Sequence, residues 1–175
     1  MSHGFRMRIG YGFDSHEFRP GIALKIGGIT LPHDKGLGGH SDGDVLLHAI
    51  TDALLGAIAA PDIGVLFPPS DPKWKGADSA IFLREALKRV LDAGYGIANI
   101  DASLILAAPK IGPHSAMIRA RVAGLLGLPG DCVGLKAKTP EGLNLENAAI
   151  AHVVVLLEKS PRQKKKASTK KPKRK

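Results

Sequence analysis

The spacing of hydrophobic and polar positions changes its period several times along the chain, and each change marks a predicted element. Alternating or continuous apolar runs of strand length occur at residues 7–13, 22–26, 29–31, 97–107, 133–137 and 150–158. Apolar residues at helical spacing occur at residues 42–60, between Asp78 and Gly94, and at residues 113–126. Gly27-Gly28 joins the second and third strands as a hairpin.

The order of these elements predicts an α+β fold. The early strands form a hairpin and the later ones are separated by helices, which favours a mixed β-sheet with helices packed on one face. Residues 150–158 are nearly all apolar and predict a central strand. Residues 32–40 predict a loop, and residues 61–78, with four prolines, predict a mobile loop.

The net charge of +9 belongs to the end of the chain and not to its body. Residues 160–175 hold nine Lys and Arg and no acid, which leaves 16 basic against 16 acidic residues elsewhere. We therefore expect a flexible leader at residues 1–6, a single catalytic domain at 7–159 and a disordered basic tail at 160–175. Contact with nucleic acid is expected only through that tail.

Composition also excludes several classes of protein. The single Cys132 cannot form an internal disulfide, which excludes a stapled secreted scaffold. No apolar run reaches the ~18–20 residues of a membrane span, and the N-terminus lacks the apolar stretch of a secretory signal. We expect a cytoplasmic protein without a membrane span.

Asp14 and His16 follow the first predicted strand and are the first candidates for chemistry. Residues i and i+2 on a strand point to the same side, so the carboxylate and the imidazole can converge on one point. Both groups are ordinary zinc ligands. A solvated turn after the strand is the alternative, and Asp-x-His alone is too simple a pattern to exclude it.

A second candidate lies on the first predicted helix, where Asp44, His48 and Asp52 fall at i, i+4 and i+8 along one stripe. This stripe contains no Lys or Arg, although a water-exposed face is its simplest interpretation. If His48 joins Asp14 and His16, three ligands form a site with an open fourth position, as in catalytic zinc centres. Asp44 or Asp52 would then accept a hydrogen bond from a histidine N–H.

Three further segments combine turn residues with polar groups, and each is also compatible with a plain turn. They are Asp62-Ile63-Gly64 with Phe67 to Asp71, Ala107 to Gly112, and Lys136 to Glu141. The first offers backbone N–H groups and a carboxylate to a hydroxylated substrate. The second lets a planar ring approach the backbone and offers Lys110 to a phosphate. The third offers a hydroxyl and a carboxylate to a phosphate and a hard divalent metal.

Many of these segments stand in the order and at the spacing of one known family. They are Arg8 to His16, Gly39 to Asp44 with His48, Thr51 to Gly56, Asp62 to Gly64, Lys75 to Ser79, Ala108 to Lys110 and Lys136-Ala137. From about Met7 to Lys159 the chain resembles the 2-C-methyl-D-erythritol 2,4-cyclodiphosphate synthase family. Several motifs in register make this resemblance specific.

The resemblance implies a phosphorus–oxygen lyase of the non-mevalonate route to isoprenoids. Its substrate is 4-diphosphocytidyl-2-C-methyl-D-erythritol 2-phosphate, whose 2-phosphate attacks the β-phosphorus and releases cytidine monophosphate (CMP). The product is 2-C-methyl-D-erythritol 2,4-cyclodiphosphate. The resemblance also implies a homotrimer, with active sites at subunit interfaces and the sheets of three subunits forming a central core.

Metal ligands are implied by the same matching positions. Asp14, His16 and His48 would bind Zn2+ or another divalent transition metal. Glu141 would help to hold Mg2+ or Mn2+ on the substrate diphosphate. The two metals would stabilise charge as it moves to the leaving group.

Substrate contacts follow in the same way from the resemblance. His40 and Thr139 would stabilise the transition state, and the metal ligands Asp14, His16 and Glu141 would also touch the substrate. The remaining implied contacts are Ser15, Ser41, Asp62, Ile63, Gly64, Phe67, Ser70, Asp71, Leu106, Ala107, Ala108, Pro109, Lys110, Ile111, Gly112, Lys138 and Pro140.

The sequence departs from the family pattern in several places. Pro69 stands where an acid is usual, and residues 138–140 replace part of a Thr-Thr run. Residues 143–149 stand in place of an aromatic residue and an Arg-Gly-Glu-Gly run. In the family that segment lines the trimer cavity and can hold an isoprenoid diphosphate, so the missing arginine argues against such a ligand. The basic tail has no counterpart.

Two other classes of function stay open from the sequence. A metal-dependent phosphohydrolase would activate water at the open zinc position, with Asp44 or Asp52 as the general base, and would turn over generic phosphoesters. A nucleic-acid-binding module is suggested only by the tail, because the body lacks interleaved aromatic residues and a basic face.

Overall fold

The computed structural model describes residues 7–160. Its strands are β1 (Met7–Pro20), β2 (Leu24–Ile26), β3 (Ile29–Leu31), β4 (Lys35–Leu37), β5 (Tyr95–Leu106), β6 (Val133–Lys138) and β7 (Ala148–Lys159). Its α-helices are α1 (Val45–Ala57), α2 (Ile63–Leu66), α3 (Ala80–Asp92) and α4 (Ser115–Leu126). Short 3-10 turns occupy Pro72–Trp74, Gly112–His114 and Gly130–Cys132. The predicted leader and the basic tail beyond Ser160 lie outside the described residues.

Five strands form one mixed sheet in the order β4-β1-β7-β5-β6, and β2 pairs with β3 as the predicted hairpin. The apolar strand β7 is central, as its composition predicted, and pairs antiparallel with both β1 and β5. β5 and β6 run parallel, which makes the sheet mixed. The predicted α+β class is therefore confirmed.

The two faces of the sheet differ in what covers them. Alternate residues of β7 from Ala149 to Leu157 are fully buried, and α1 packs against both β7 and β1 on that side. On the opposite side of the sheet, several large apolar residues stay exposed to solvent in the described chain, namely Met7, Ile9, Tyr11, Phe13 and Val154. Helices thus cover one face, and the other face presents an apolar surface.

Two glycines of β1 allow α1 to approach the strand closely. A Cβ at Gly10 would lie 1.8 Å from the carbonyl oxygen of Ala53, and one at Gly12 would lie 1.9 Å from that of Ala49. Both distances are far below van der Waals contact, so only glycine allows the backbones of β1 and α1 to lie this near. This packing sets the distance between the polar residues of β1 and those of α1.

Several predicted boundaries were wrong, and the structure gives the reason for each. β1 continues past Phe13 because its ladder with β7 runs to Glu17, and β4 then takes over the pairing. Residues 32–40 therefore contain a strand and are not wholly a loop.

The helical boundaries differ as well. α1 begins at Val45 because Asp44 caps it. Residues 61–78 contain α2 and a 3-10 turn, whose first N–H groups are accepted by Asp62 and Asp71. Pro113 lies in a 3-10 turn before α4 and not in the helix itself. None of the helices within residues 7–160 has the length and apolar character needed to cross a bilayer.

Candidate metal centre and active site

Asp14 and His16 on β1 meet His48 on α1 at one point. Asp14 Oδ2 lies 2.9 Å from His16 Nε2 and 3.0 Å from His48 Nδ1, and these two ring nitrogens are 3.0 Å apart. One oxygen and two nitrogen donors thus converge, and they satisfy the geometry of a group that could hold a metal ion. The convergence predicted from the sequence is confirmed.

The local electrostatics reflect this close approach. Burial alone would raise the pKa of Asp14, but hydrogen bonds and charge from His16 and His48 outweigh burial and lower it from 3.8 to about 2. Burial acts to lower the pKa of His16, yet its hydrogen bond to Asp14 and the charge of that carboxylate raise it overall. Asp14 is therefore an ionised carboxylate at neutral pH.

The outer nitrogens of both histidines are also engaged. His16 Nδ1 donates to the carbonyl oxygen of Gly38 over 2.7 Å, which leaves Nε2 facing the centre. When protonated, Nε2 donates to Asp14, and when neutral it offers its lone pair to a metal. His48 Nε2 lies 3.0 Å from Ser41 Oγ and 2.8 Å from Ser79 Oγ, which leaves Nδ1 facing the centre. A carboxylate with two oriented imidazoles is a donor set that fits Zn2+, with room for a further ligand.

The predicted roles of Asp44 and Asp52 as acceptors for a histidine N–H were wrong. Asp44 is fully buried, and its carboxylate accepts the backbone N–H groups of Gly27, Gly28 and Leu47. It caps α1 and ties the β2–β3 hairpin to that helix. Asp52 Oδ1 accepts the N–H of Ile63 at 2.8 Å and so anchors α2. Asp44 and His48 are buried and Asp52 is partly buried, so the polar stripe is not the water-exposed face that the sequence also allowed.

A cavity of about 180 Å3 opens beside the three converging side chains. Six residues predicted to contact substrate line it, namely His16, His40, Ser41, Ile63, Gly64 and Phe67. His48 and Pro69 also line the cavity. Trp74 and Phe82 pack against Phe67 and form an aromatic wall on one side of it. Sequence reasoning missed these two aromatics. Phe82 belongs to the buried stripe of α3, and a stripe of that kind does not distinguish core from cavity.

Other predicted contacts fall beside this cavity and not in its lining. The carboxylates of Asp62 and Asp71 accept backbone N–H groups at the starts of short helical turns, and Ser70 is exposed nearby. The carbonyl oxygen of Asp71 lies 3.4 Å from His40 Nε2. Ser15 alternates with Asp14 and His16 on β1, so its side chain points to the opposite face of the sheet.

A second cavity, of about 530 Å3, lies where the parallel strands β5 and β6 end. Its lining contains nine predicted substrate contacts, namely Leu106, Ala107, Pro109, Lys110, Ile111, Gly112, Lys138, Thr139 and Glu141. Ala137, from the predicted segment Lys136 to Glu141, also lines it, and so does Pro113, which was missed. Ala108 and Pro140 do not line it, and Pro140 is buried. Thr139 Oγ1 donates to Glu141 Oε1.

Both cavities lie at the same end of the sheet. In the strand register, His16 on β1 pairs with Ala149 on β7, which in turn pairs with Leu106 on β5. The two polar clusters therefore lie two strands apart at the same end of the sheet. The fold and these sites define a protein with a possible metal centre beside one cavity and with lysine-containing loops around the other.

The chain belongs to the YgbB family, whose sequence model matches residues 7–158. It is 67% identical over 153 residues to the 2-C-methyl-D-erythritol 2,4-cyclodiphosphate synthase of Koribacter versatilis, covering 87% of this chain and 99% of that relative. It is 56% identical over 155 residues to the chloroplastic enzyme of the same name from Arabidopsis thaliana, covering 87% and 67%. The family resemblance predicted from the sequence is confirmed.

A solved structure supports the same relationship at the level of the fold. A 2C-methyl-D-erythritol-2,4-cyclodiphosphate synthase in its CDP-bound form aligns with a TM-score of 0.82 at 44% identity. The alignment covers 86% of this chain and all of that one. The order of strands and helices described above is therefore that of a synthase fold.

Proposed function

We propose that this chain converts 4-diphosphocytidyl-2-C-methyl-D-erythritol 2-phosphate into 2-C-methyl-D-erythritol 2,4-cyclodiphosphate and CMP. The convergence of Asp14, His16 and His48 beside a cavity carries the proposal. The 67% identity to the synthase of Koribacter versatilis over nearly all of that relative supports it.

The proposed reaction is an intramolecular phosphoryl transfer. An oxygen of the substrate's 2-phosphate bonds to the β-phosphorus, and the bond from that phosphorus to the bridging oxygen breaks, so CMP leaves with the bonding electrons. The nucleophile is already tethered, so the protein need only position the groups and balance their charge. No nucleophilic side chain is required.

The centre on β1 and α1 would hold the metal. Asp14 contributes an anionic oxygen, and His16 and His48 contribute neutral nitrogens whose outer hydrogen bonds keep the lone pairs aimed inward. Zn2+ bound there supplies a Lewis acid for a phosphate oxygen. Ile63 and Gly64 would contact the methylerythritol part, because they line the adjacent cavity.

The second cavity would hold the cytidine diphosphate part. Lys110 and Lys138 place positive charge there, and Glu141 offers a carboxylate to Mg2+ or Mn2+ on the diphosphate. His40 and Thr139 are the proposed donors to the transition state. Within one chain these two side chains line different cavities.

We propose that a homotrimer joins the two cavities. The apolar residues Ile9, Tyr11 and Phe13 are between 48% and 72% exposed on the uncovered face of the sheet, although the other face is fully packed. An apolar surface of this kind favours self-association. A neighbouring subunit would then bring its second cavity to the metal centre of this one.

The phosphohydrolase alternative lacks support in the structure. It needs Asp44 or Asp52 as a general base beside the metal. Asp44 is buried under three backbone N–H groups, and neither residue lines the cavity. A cyclase remains the function that the geometry supports.

The test is to incubate the purified protein with the diphosphocytidyl substrate and follow the phosphorus NMR spectrum. We expect CMP and the cyclic diphosphate in equal amounts, no product after treatment with a chelator, and recovery when Zn2+ and Mg2+ are returned. 4-Nitrophenyl phosphate is the control and should stay intact. Turnover of that ester with no cyclic product would replace the cyclase with the phosphohydrolase.

A further inference from the structure

Ser79 stands at the N-cap position of α3, yet its side chain does not cap the helix. The preceding Asp78 accepts the N–H of Ala80 instead, at 2.8 Å. Ser79 is fully buried, and its Oγ lies 2.8 Å from His48 Nε2 and within hydrogen-bond distance of Asp42 Oδ1. A serine at a helix start ordinarily accepts a backbone N–H, so here the hydroxyl serves another partner.

Asp42 and Lys25 fix the direction of the hydrogen bonds that Ser79 makes. Asp42 has a side chain only 8% exposed, and its Oδ2 accepts from Lys25 Nζ at 3.2 Å. An ionised carboxylate paired with an ammonium group can only accept, so the hydroxyl of Ser79 must donate to Asp42. The remaining lone pair of Ser79 Oγ then accepts from His48 Nε2–H.

The direction of the bond between Ser79 and His48 decides which nitrogen of His48 can offer a lone pair to a metal. With the proton on Nε2, the lone pair of the neutral ring lies on Nδ1, which is 3.0 Å from Asp14 Oδ2 at the centre. The opposite tautomer would aim N–H at the metal position and leave Nε2 without a donor to offer Ser79.

We propose that Ser79 and Asp42 are positioning residues that hold His48 in its metal-binding tautomer, with Lys25 paired to the other carboxylate oxygen of Asp42. The inference rests on the proposed metal centre and deepens it. Neither Ser79 nor Asp42 lines the cavities described above, so both act through His48 and not on substrate.

Ser41 differs from Ser79 although it meets the same nitrogen. Its Oγ lies 3.0 Å from His48 Nε2, but it lines the cavity and is only half-buried. The hydrogen bonds of the described residues give it no carboxylate partner to set its direction. Ser41 can therefore turn toward a ligand, whereas Ser79 is held by Asp42.

The experiment measures Zn2+ affinity by competition with a chromophoric chelator, in the absence of substrate. We expect Ser79→Ala and Asp42→Asn each to weaken Zn2+ binding by about 10–100-fold, as loss of an outer hydrogen-bond partner commonly does. Thr51→Val is the matched control, because Thr51 is an equally buried hydroxyl on α1 whose one hydrogen-bond partner within residues 7–160 is the carbonyl of Leu47. It should change Zn2+ affinity by less than about twofold.

A second readout is the exchange of the His48 Nε2 proton with water in the Zn2+-loaded protein, followed by NMR. Wild type should exchange this proton slowly, and Ser79→Ala should exchange it faster. Unchanged Zn2+ affinity in both variants, or an equal loss in Thr51→Val, would overturn the proposal. If Ser79→Ala fails to fold, Asp42→Asn decides the question. Wild type that binds no Zn2+ would instead overturn the metal centre itself.

Discussion

The two cavities at the sheet edge differ in how much of each is completed by one chain. The smaller one is built from side chains that already hold one another: His48 is 9% exposed and hydrogen-bonded at both nitrogens. In the larger one, Lys138, Thr139 and Glu141 are all exposed, and Thr139 donates a hydrogen bond to Glu141. The first is preorganised, and the second offers charges to a ligand.

The two cavities therefore differ in when their electrostatic interactions reach full strength. A preorganised centre spends no reorganisation energy when the reaction occurs, because its donors already point inward. An exposed set of charges gains strength only when water is excluded, by substrate or by a neighbouring subunit. We therefore expect substitutions in the first cavity to remove metal and those in the second to affect only substrate-dependent properties.

Substitution of His48 should have the largest effect. His48→Ala removes one of the three proposed ligands, and its helix is held by its apolar face. The protein should therefore stay folded, in the proposed trimer, without bound zinc. We expect activity to fall by roughly 10²–10³-fold or more. Elemental analysis, circular dichroism and gel filtration check this, and one zinc per chain in the variant would show that His48 is not a ligand.

Glu141→Gln tests the other cavity. The side chain stays the same size and loses its charge, so we expect the concentration of Mg2+ needed for half-maximal activity to rise by about tenfold. Zinc content should not change, because the two metals use different ligands. Loss of zinc together with activity would contradict the separation of the two centres.

Gly12→Ala tests the support beneath the first cavity. The new Cβ would meet the carbonyl oxygen of Ala49, so α1 must move away, and we expect a loss of at least about 1–3 kcal/mol in the free energy of unfolding. Zn2+ affinity should fall as well, because α1 carries His48. Gly124→Ala on α4 is the control: its Cβ meets open space, and the helix should gain up to about 1 kcal/mol. Equal stabilities in urea for the two variants would contradict this account of the packing.

Deletion of residues 160–175 should have the smallest effect. This segment is lysine-rich and nearly lacks apolar residues, so we expect neither cavity to depend on it. The kcat and the proposed trimer should be unchanged. If the tail binds polyanions, that binding should weaken steeply with salt. A truncated protein that loses activity at moderate salt would place the tail in the active site.

Strand alternation predicted the convergence of Asp14 and His16, because i and i+2 share a side whatever the surrounding fold. His48 needed the family resemblance, since its helix reaches the strand only in three dimensions. Asp44 was misassigned for the same reason: nothing local indicates that the Gly27-Gly28 hairpin returns to the start of α1.

Ser79 shows where a signal was present and passed over. Asp78 and Ser79 are both of residue types that cap helices, and the start of α3 needs only one such cap. The spare hydroxyl was free for a partner 31 residues away. Two adjacent cap residues therefore indicate that one of them serves tertiary structure, although the sequence does not show which partner it meets.

The glycines of β1 also have a consequence for mechanical precision. Metal–ligand distances tolerate errors of only about 0.2 Å, and here the ligands come from two separate elements. Because the backbone of β1 rests directly on α1, no flexible side chain lies between them at Gly10 and Gly12 to take up error. The absence of a Cβ at these two positions therefore fixes the distance between β1 and α1, and with it the positions of metal ligands that belong to other residues.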